Sequence, residues 1–275
     1  MNAFERPKTL EDALALIGAG GWLPLAGATD VYPSSGRTIR GQILDLTAIN
    51  SLCGIMFSRD LRIGACTTWS ALASADLPPA AFALQQAALQ VGGRQIQNAG
   101  TIGGNLCNAS PAADGVPPLL ALDAQVELAS QRGTRVQSLQ DFLIGPRKTD
   151  RAPDEILTAV IIPEQSLSGR SAFVKLGARA YLVISIAMVA ARLTVQDGAV
   201  ASAAIAVGAC SATARRLREL EAGLVGKAVA QVASLISDDA VANALSPIDD
   251  IRATGAYRKG AAAHLVRRAV AEALV

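Results

Sequence analysis

Residues Asn98 to Pro118 read NAGTIGGNLCNASPAADGVPP. Glycine, asparagine, serine and proline are so dense here that neither helix nor strand is expected to persist, and the stretch reads as loop. Ile102, Leu106 and Val116 inside it nevertheless want burial. A long buried loop leaves many backbone groups in need of partners. A bound polar ligand is one such partner.

A related segment lies upstream, Leu25-Ala26-Gly27-Ala28-Thr29-Asp30-Val31. Glycines lacking a β-carbon let successive amide N–H groups converge on an anion, and a neighbouring threonine hydroxyl adds a donor. A diphosphate between this segment and Thr101-Ile102-Gly103-Gly104-Asn105 is one reading, and glycine turns that merely reverse the chain are the other. Neither segment has the lysine of phosphoryl-transfer sites. Gly18, Gly20 and Leu23 miss the last glycine of the dinucleotide fingerprint and follow a helix, and Gly145-Pro146-Arg147-Lys148-Thr149 lacks P-loop spacing.

Nearer the start of the chain, Thr9 caps an expected helix that Gly18 to Gly21 stop. Strands are expected at Trp22 to Ala26, Gln42 to Leu46 and Leu61 to Gly64. Thr68 caps a short helix, and Pro79 opens a longer one towards Val91. Gln125 to Ser130 and Thr134 to Ser138 form a hairpin, Glu155 to Ile162 a strand, and Glu164 to Arg170 a linker. Beyond it, Ile184 to Val195 and Val200 to Val207 flank the hairpin signal Asp197-Gly198. Helices follow at Ala214 to Ala222, Lys227 to Ile236 and Tyr257 to Leu274. The part from about residue 168 onward reads as a small antiparallel sheet covered by helices.

Composition narrows the function. The chain has 275 residues, 51% hydrophobic and 17% charged, so disorder is not expected. Net charge is +2, with 11 basic and 12 acidic residues up to position 150 and 14 and 11 after it, which lacks the basic excess of a nucleic-acid binder. Arg215, Arg216 and Arg218, followed by Glu219 and Glu221, read as a solvated helix face. The longest apolar run, Leu182 to Ala191, is about half the roughly 20 residues of a membrane span. Glu5, Arg6, Lys8, Glu11 and Asp12 break any basic-then-apolar leader, which points to the cytoplasm. Cys53, Cys66, Cys107 and Cys210 show no CxxC spacing and are expected as free buried thiols. With His264 the only histidine, and on a helix face, a metal site and histidine-dependent catalysis are not expected.

Five ordered segments carry a family resemblance: LAGATD; LRIGACTTWSAL from Leu61; QIQNAGTIGGNLCNASPAADGVPPLLALDA from Gln95; GPRKTDRAPDEIL from Gly145; and the C-terminal AFVKLGARAYLVISIAMVAARL with DIRATGAYRKGAAAHLVRRAV. Together they resemble the FAD-binding medium subunit of the molybdenum hydroxylases, the xanthine and carbon monoxide dehydrogenase family. The resemblance implies an α+β chain. An FAD-binding fold of the vanillyl-alcohol oxidase (PCMH) type would span 1–165, in two α/β subdomains of about 1–55 and 56–165. An α+β flavoprotein C-terminal domain would span 168–275.

Carried over residue by residue, Leu25, Ala26, Gly27, Ala28, Thr29, Asp30 and Val31 form the first diphosphate loop, and Thr101, Ile102, Gly103, Gly104 and Asn105 the second. Ser110 and Asp114 lie towards the phosphate and ribityl hydroxyls, Val91 stands near the flavin, and Leu157 and Lys175 contact the isoalloxazine region or its edge. An Asx turn before Gly115 is the alternative for Asp114, and an exposed strand lysine for Lys175. Ala28 replaces the family's second glycine, which is tolerable only if its φ is negative. No aromatic residue stands at Val91 or at Leu182 and Val183 to cover the flavin ring.

The function implied is electron transfer through FAD. A small iron-sulfur subunit with two [2Fe-2S] clusters and a large molybdenum-cofactor subunit are the implied partners, in a dimer of heterotrimers. FAD converts single-electron delivery into one- or two-electron output, so no acid-base side chain is demanded of this chain. A stand-alone flavin oxidase and a non-catalytic nucleotide-binding subunit are the alternatives.

Overall fold

A computed structural model describes residues 3–35 and 41–275. Its first sheet is small and parallel. Strands β1 (Ala3–Glu5), β2 (Trp22–Leu25) and β3 (Gln42–Asp45) run in the order β1-β3-β2. The Leu10–Gly18 helix makes the crossover, with Thr9 Oγ1 accepting from Asp12 N at 3.2 Å as its cap. Ala13 and Ile17 on one face of that helix pack on Leu44, Leu46, Ile49 and Leu52. β1 was not anticipated: three residues, mostly exposed, show no alternation to read.

The second sheet is antiparallel. It contains β4 (Ile55–Phe57), β5 (Leu61–Gly64), β6 (Gln125–Ser130) and β7 (Gly133–Ser138). After the two-stranded ribbon β8 (Leu143–Gly145) and β9 (Lys148–Thr149) it is completed by β10 (Ile156–Ile162), in the order β4-β5-β10-β6-β7. The register of β10 against β6 shifts between Leu157 and Ala159. Thr158, left over at this bulge, gives its carbonyl to Ala65 N at 3.0 Å. Bulges of this kind bend a strand and re-aim its side chains.

The third sheet, β11 (Arg170–Leu176), β12 (Ala187–Gln196), β13 (Ala199–Gly208) and β14 (Arg215–Arg216), is antiparallel in chain order. The Gly255–Ala273 helix covers one face through Ala262, Ala263, Val266, Ala269 and Val270. On the other face, Phe173, Met188, Ala190 and Ala204 meet Ala83, Ala87 and Ala121 from the helices Phe82–Gln90 and Val116–Ala121. β12 is therefore buried on both faces from Ala187 to Leu193, which explains its unbroken apolar run. Alanine on both sides lets helix and sheet backbones approach closely.

Three expectations are corrected. The stretch 98–118 is not loop throughout, since Ile102–Asn108 and Val116–Ala121 are helices. Two adjacent glycines cost a helix about 1 kcal/mol each, which tertiary packing overrides here. The Arg215 to Glu221 cluster is not a solvated helix face. Arg216 lies in β14 with 4% of its side chain exposed, and its Nε is 2.6 Å from a Glu221 oxygen that is itself buried. Its Nη1 reaches Asp123 at 2.8 Å. Finally, the four cysteines are free, but only Cys66 and Cys210 are buried, with Cys53 exposed and Cys107 half-buried.

Candidate functional site

The carboxyl end of β2 delivers the chain into the first glycine segment, where Leu25 O accepts from Leu46 N at 2.8 Å and the ladder ends. Ligands of parallel sheets bind outside such strand ends. A β-carbon on Gly27 would lie 1.8 Å from Ala99 O, so only glycine fits there. Ala28 has φ +55°, not the negative value expected. This left-handed conformation costs an alanine about 1–2 kcal/mol. Ala28 O accepts from Tyr32 N at 3.0 Å. The amides of Gly27, Ala28 and Thr29 find no acceptor among the described residues. Three consecutive unpaired N–H groups form a cradle for an anion.

The second segment behaves differently. Thr101 is the N-cap of Ile102–Asn108, its Oγ1 accepting from Gly104 N at 3.1 Å. Ile102 N donates to Thr67 O at 3.0 Å, Gly103 N to Ala65 O at 2.8 Å, and Asn105 N to Thr101 O at 3.0 Å. Its front amides are thus committed within the protein, which corrects the picture of two converging amide loops. Here glycine serves packing instead, because a β-carbon on Gly103 would sit 2.7 Å from Ala65. Thr101 carries a cap signal that the glycine density hides in the sequence.

Both segments line one cavity of about 660 Å³, together with Val91 and Leu157. A second cavity of about 650 Å³ is lined by Ser110 and Asp114. Asp30, Val91, Asn105, Asn108 and Arg147 belong to both, so the two adjoin as parts of one cleft, and these shared residues are its waist. Ile102 lines neither cavity and is fully buried in the core. Asn105 Oδ1 is buried at the waist with no hydrogen-bond partner among the described residues.

Asp114 and Lys175 are brought together. Lys175 Nζ lies 2.7 Å from Asp114 Oδ2 and 3.1 Å from Gln90 O, and Ser185 Oγ donates to Asp114 Oδ1 at 2.7 Å. Burial pushes the Asp114 carboxyl above its usual range, against the opposing pull of Lys175 and Ser185. These bonds set aside an Asx turn for Asp114, and 5% exposure sets aside a solvated Lys175. Lys175 lines neither cavity.

Several wall residues were not singled out from sequence. Trp69, Cys66, Cys107, Asn108, Arg147 and Thr149 all line the first cavity. Trp69 explains two glycines: its Cη2 would lie 2.4 Å from a β-carbon on Gly115, and its Cδ1 3.3 Å from one on Gly100. Burial pushes the Cys66 thiol up to about 12 and Cys107 up to about 11, so both stay neutral. Among the described residues no group of three or more His, Cys, Asp or Glu is placed to hold a metal ion, and no helix is long and apolar enough to cross a membrane.

Comparison with known proteins gives this geometry a family. Residues 1–165 match the model of the FAD binding domain in molybdopterin dehydrogenase, and residues 172–273 that of the CO dehydrogenase flavoprotein C-terminal domain. The nicotinate dehydrogenase FAD-subunit of Eubacterium barkeri is 37% identical over 217 residues, 75% of this chain and 73% of the relative. The carbon monoxide dehydrogenase medium chain of Afipia carboxidovorans is 32% identical over 279 residues, 98% of this chain and 96% of the relative. Among solved structures, reconstituted CO dehydrogenase from Oligotropha carboxidovorans contains a chain that superposes with a TM-score of 0.90 at 30% identity, covering 99% of this chain and 97% of that one. The amide cradle at the end of β2, the cleft beside it and these matches over both parts of the chain agree, and the protein belongs to the FAD-binding medium subunits of the molybdenum hydroxylase-type dehydrogenases.

Proposed function

We propose that this chain is the electron-transfer subunit of a three-part molybdenum hydroxylase. It takes electrons from two [2Fe-2S] clusters of a small partner and passes them through FAD to a terminal acceptor, while a large partner with molybdenum cofactor transforms the substrate. The assembly is a dimer of heterotrimers. Within the chain, residues 1–165 hold the cofactor and residues 168–275 close the far side of the cleft.

The observation that carries this reading is the row of amides at Gly27, Ala28 and Thr29 without an acceptor among the described residues, on the wall of a cavity of about 660 Å³ that adjoins a second of about 650 Å³. The donor set fits FAD. Neutral amides suit a diphosphate, Asn105 and Ser110 offer polar groups along the waist and second cavity, and Leu25, Ile156 and Leu157 give the first cavity apolar walls. When bound, FAD supplies the exchange between single-electron and paired-electron transfer.

The chain's own residues bind, orient and exclude water. Asp114, fixed by Lys175 and Ser185, presents a charge-balanced wall in place of a mobile acid. Cys66 and Cys107 remain neutral beside the cavity. His264 is exposed on the Gly255–Ala273 helix, and no proton transfer is assigned to it.

The test is to purify the full chain, supply FAD, remove the excess and add the reduced iron-sulfur partner under anaerobic conditions. Retained flavin absorbance that bleaches on mixing is expected. A folded chain that keeps no flavin would overturn the reading, and bleaching by an organic substrate without partners would favour a stand-alone flavin enzyme.

A further inference from the structure

The cleft's waist carries a cation that neither glycine segment supplies. Arg147 sits at the turn between β8 and β9 with φ +59°. That left-handed backbone costs a non-glycine residue about 1–2 kcal/mol. Its amide donates to Ala109 O at 2.8 Å, and Ala109, with φ +45°, ends the Ile102–Asn108 helix. The guanidinium is anchored at the same helix end, where Nη1 donates to Asn108 O at 3.2 Å and also to Asn108 Oδ1.

This anchoring uses one nitrogen. Among the described residues, Nε and Nη2 of Arg147 have no acceptor, and no carboxylate pairs with the guanidinium. Arg147 lines both cavities, as does Asp30, which adds negative charge to the same wall. Arg151, also on the first cavity, is instead turned to its own backbone, with Nη1 on Ala152 O and Glu155 O. Backbone amides orient an anion but bring no net charge to offset it. A guanidinium held at one end, with its remaining N–H fork free, suits bidentate contact with a phosphate.

We propose that Arg147 binds the diphosphate of the dinucleotide, opposite in charge to it and complementary to the neutral cradle at Gly27, Ala28 and Thr29. The proposal rests on the reading that the cleft takes FAD. The strained turn and the helix-end anchor hold the side chain at the waist, where the two cavities meet.

The experiment titrates the flavin-free full chain with FAD and with riboflavin, following flavin fluorescence over a range of salt concentrations. Arg147→Gly relieves the left-handed strain while removing the charge, and Arg147→Lys restores a point charge. Lys148→Gln removes the adjacent cation of the same ribbon, which lines the first cavity only. Arg147→Gly is expected to weaken FAD binding about tenfold, in line with loss of a charge-assisted hydrogen bond, with a flatter salt dependence. Riboflavin, lacking the diphosphate, changes less than about twofold, and Arg147→Lys recovers part of the loss.

Unchanged FAD affinity in Arg147→Gly overturns the proposal. So does an equal loss for riboflavin, which marks a purely structural helix anchor, or an equal loss in Lys148→Gln, which marks a diffuse field. Failure of the unsubstituted chain to bind FAD overturns the underlying reading instead. If Arg147→Gly does not fold by circular dichroism, Arg147→Gln against Arg147→Lys carries the comparison, with tighter FAD binding expected for lysine and equal binding overturning it.

Discussion

Gly27 touches the carbonyl of Ala99 so closely that a β-carbon at Gly27 would lie 1.8 Å from that oxygen. The contact ties the first glycine segment to the residues just before Thr101. Because the obstacle is backbone, no rotamer change relieves it. Gly27→Ala is expected to destabilise the protein by about 3 kcal/mol, the upper end for overpacking, and to abolish FAD retention. Thermal unfolding together with flavin content after gel filtration checks this, and a variant with unchanged melting and full flavin would contradict it.

Ala28 offers the opposite case. Its φ of +55° is strain that glycine does not pay. Ala28→Gly relieves about 1–2 kcal/mol in the fold and returns part of it as extra freedom in the unfolded chain. A net gain of about 0.5–1 kcal/mol in denaturant unfolding is expected, with FAD affinity retained. A loss of stability would show that the Ala28 methyl makes contacts that outweigh its strain.

The Asp114–Lys175 pair joins the two parts of the chain. Lys175→Met strands the carboxylate, and breaking a buried pair typically costs about 3–5 kcal/mol, so a large loss at neutral pH is expected. The sign of the pH effect follows from burial. Asp114 is already raised in the folded state, and losing its lysine raises it further. Between the unfolded and folded pKa the native state then binds more protons than the unfolded state, so stability falls as pH rises through that window. Lys175→Met should regain stability as pH drops from 7 towards 5, more than the unsubstituted protein does. Adding Asp114→Asn should flatten that dependence, and pH-resolved denaturation curves measure both.

Thiol reactivity tests the cavity wall. Cys53 is exposed, whereas Cys66 and Cys107 are held neutral by burial, up to about 12 and 11. Because the thiolate is the reacting species, maleimide at pH 7.5 should label Cys53 first, and the other three cysteines on unfolding. Peptide mass spectrometry reads the order. Labelling of Cys107 in the native chain as fast as that of Cys53 would contradict this order.

Much of the architecture was legible because local signals agreed with the fold. Thr9 and Thr68 cap helices where expected, β5 spans the anticipated Leu61 to Gly64, and Asp197-Gly198 turns the β12–β13 hairpin. The misreadings occur where tertiary contacts outvote composition. Gly103 and Gly104 look like loop, yet close packing on Ala65 and the Thr101 cap make them the first turn of a helix. Ala28 is left-handed, a conformation that alanine rarely adopts and its residue type does not signal. Arg216 and Glu221 look solvent-bound in sequence, but strand β14 brings them inside together. At the site, the first segment announced itself through its glycine and threonine. Trp69, Asn108 and Arg147 did not, because their place on the cleft depends on β-ribbon and helix-end geometry that spacing does not reveal.

The cleft is asymmetric among the described residues, with the amides of Gly27, Ala28 and Thr29 free on one side and those of Ile102, Gly103 and Asn105 committed on the other. Amide chemical shifts of the ¹⁵N-labelled chain, recorded before and after FAD is added, test it most directly. The Gly27, Ala28 and Thr29 resonances should move strongly downfield as they gain an anionic acceptor. Those of Ile102 and Gly103, already bonded to Thr67 and Ala65, should move little. FAD bound with the first three unmoved, or with the second pair moving as far, would show that the amides at Gly27, Ala28 and Thr29 do not hold the diphosphate.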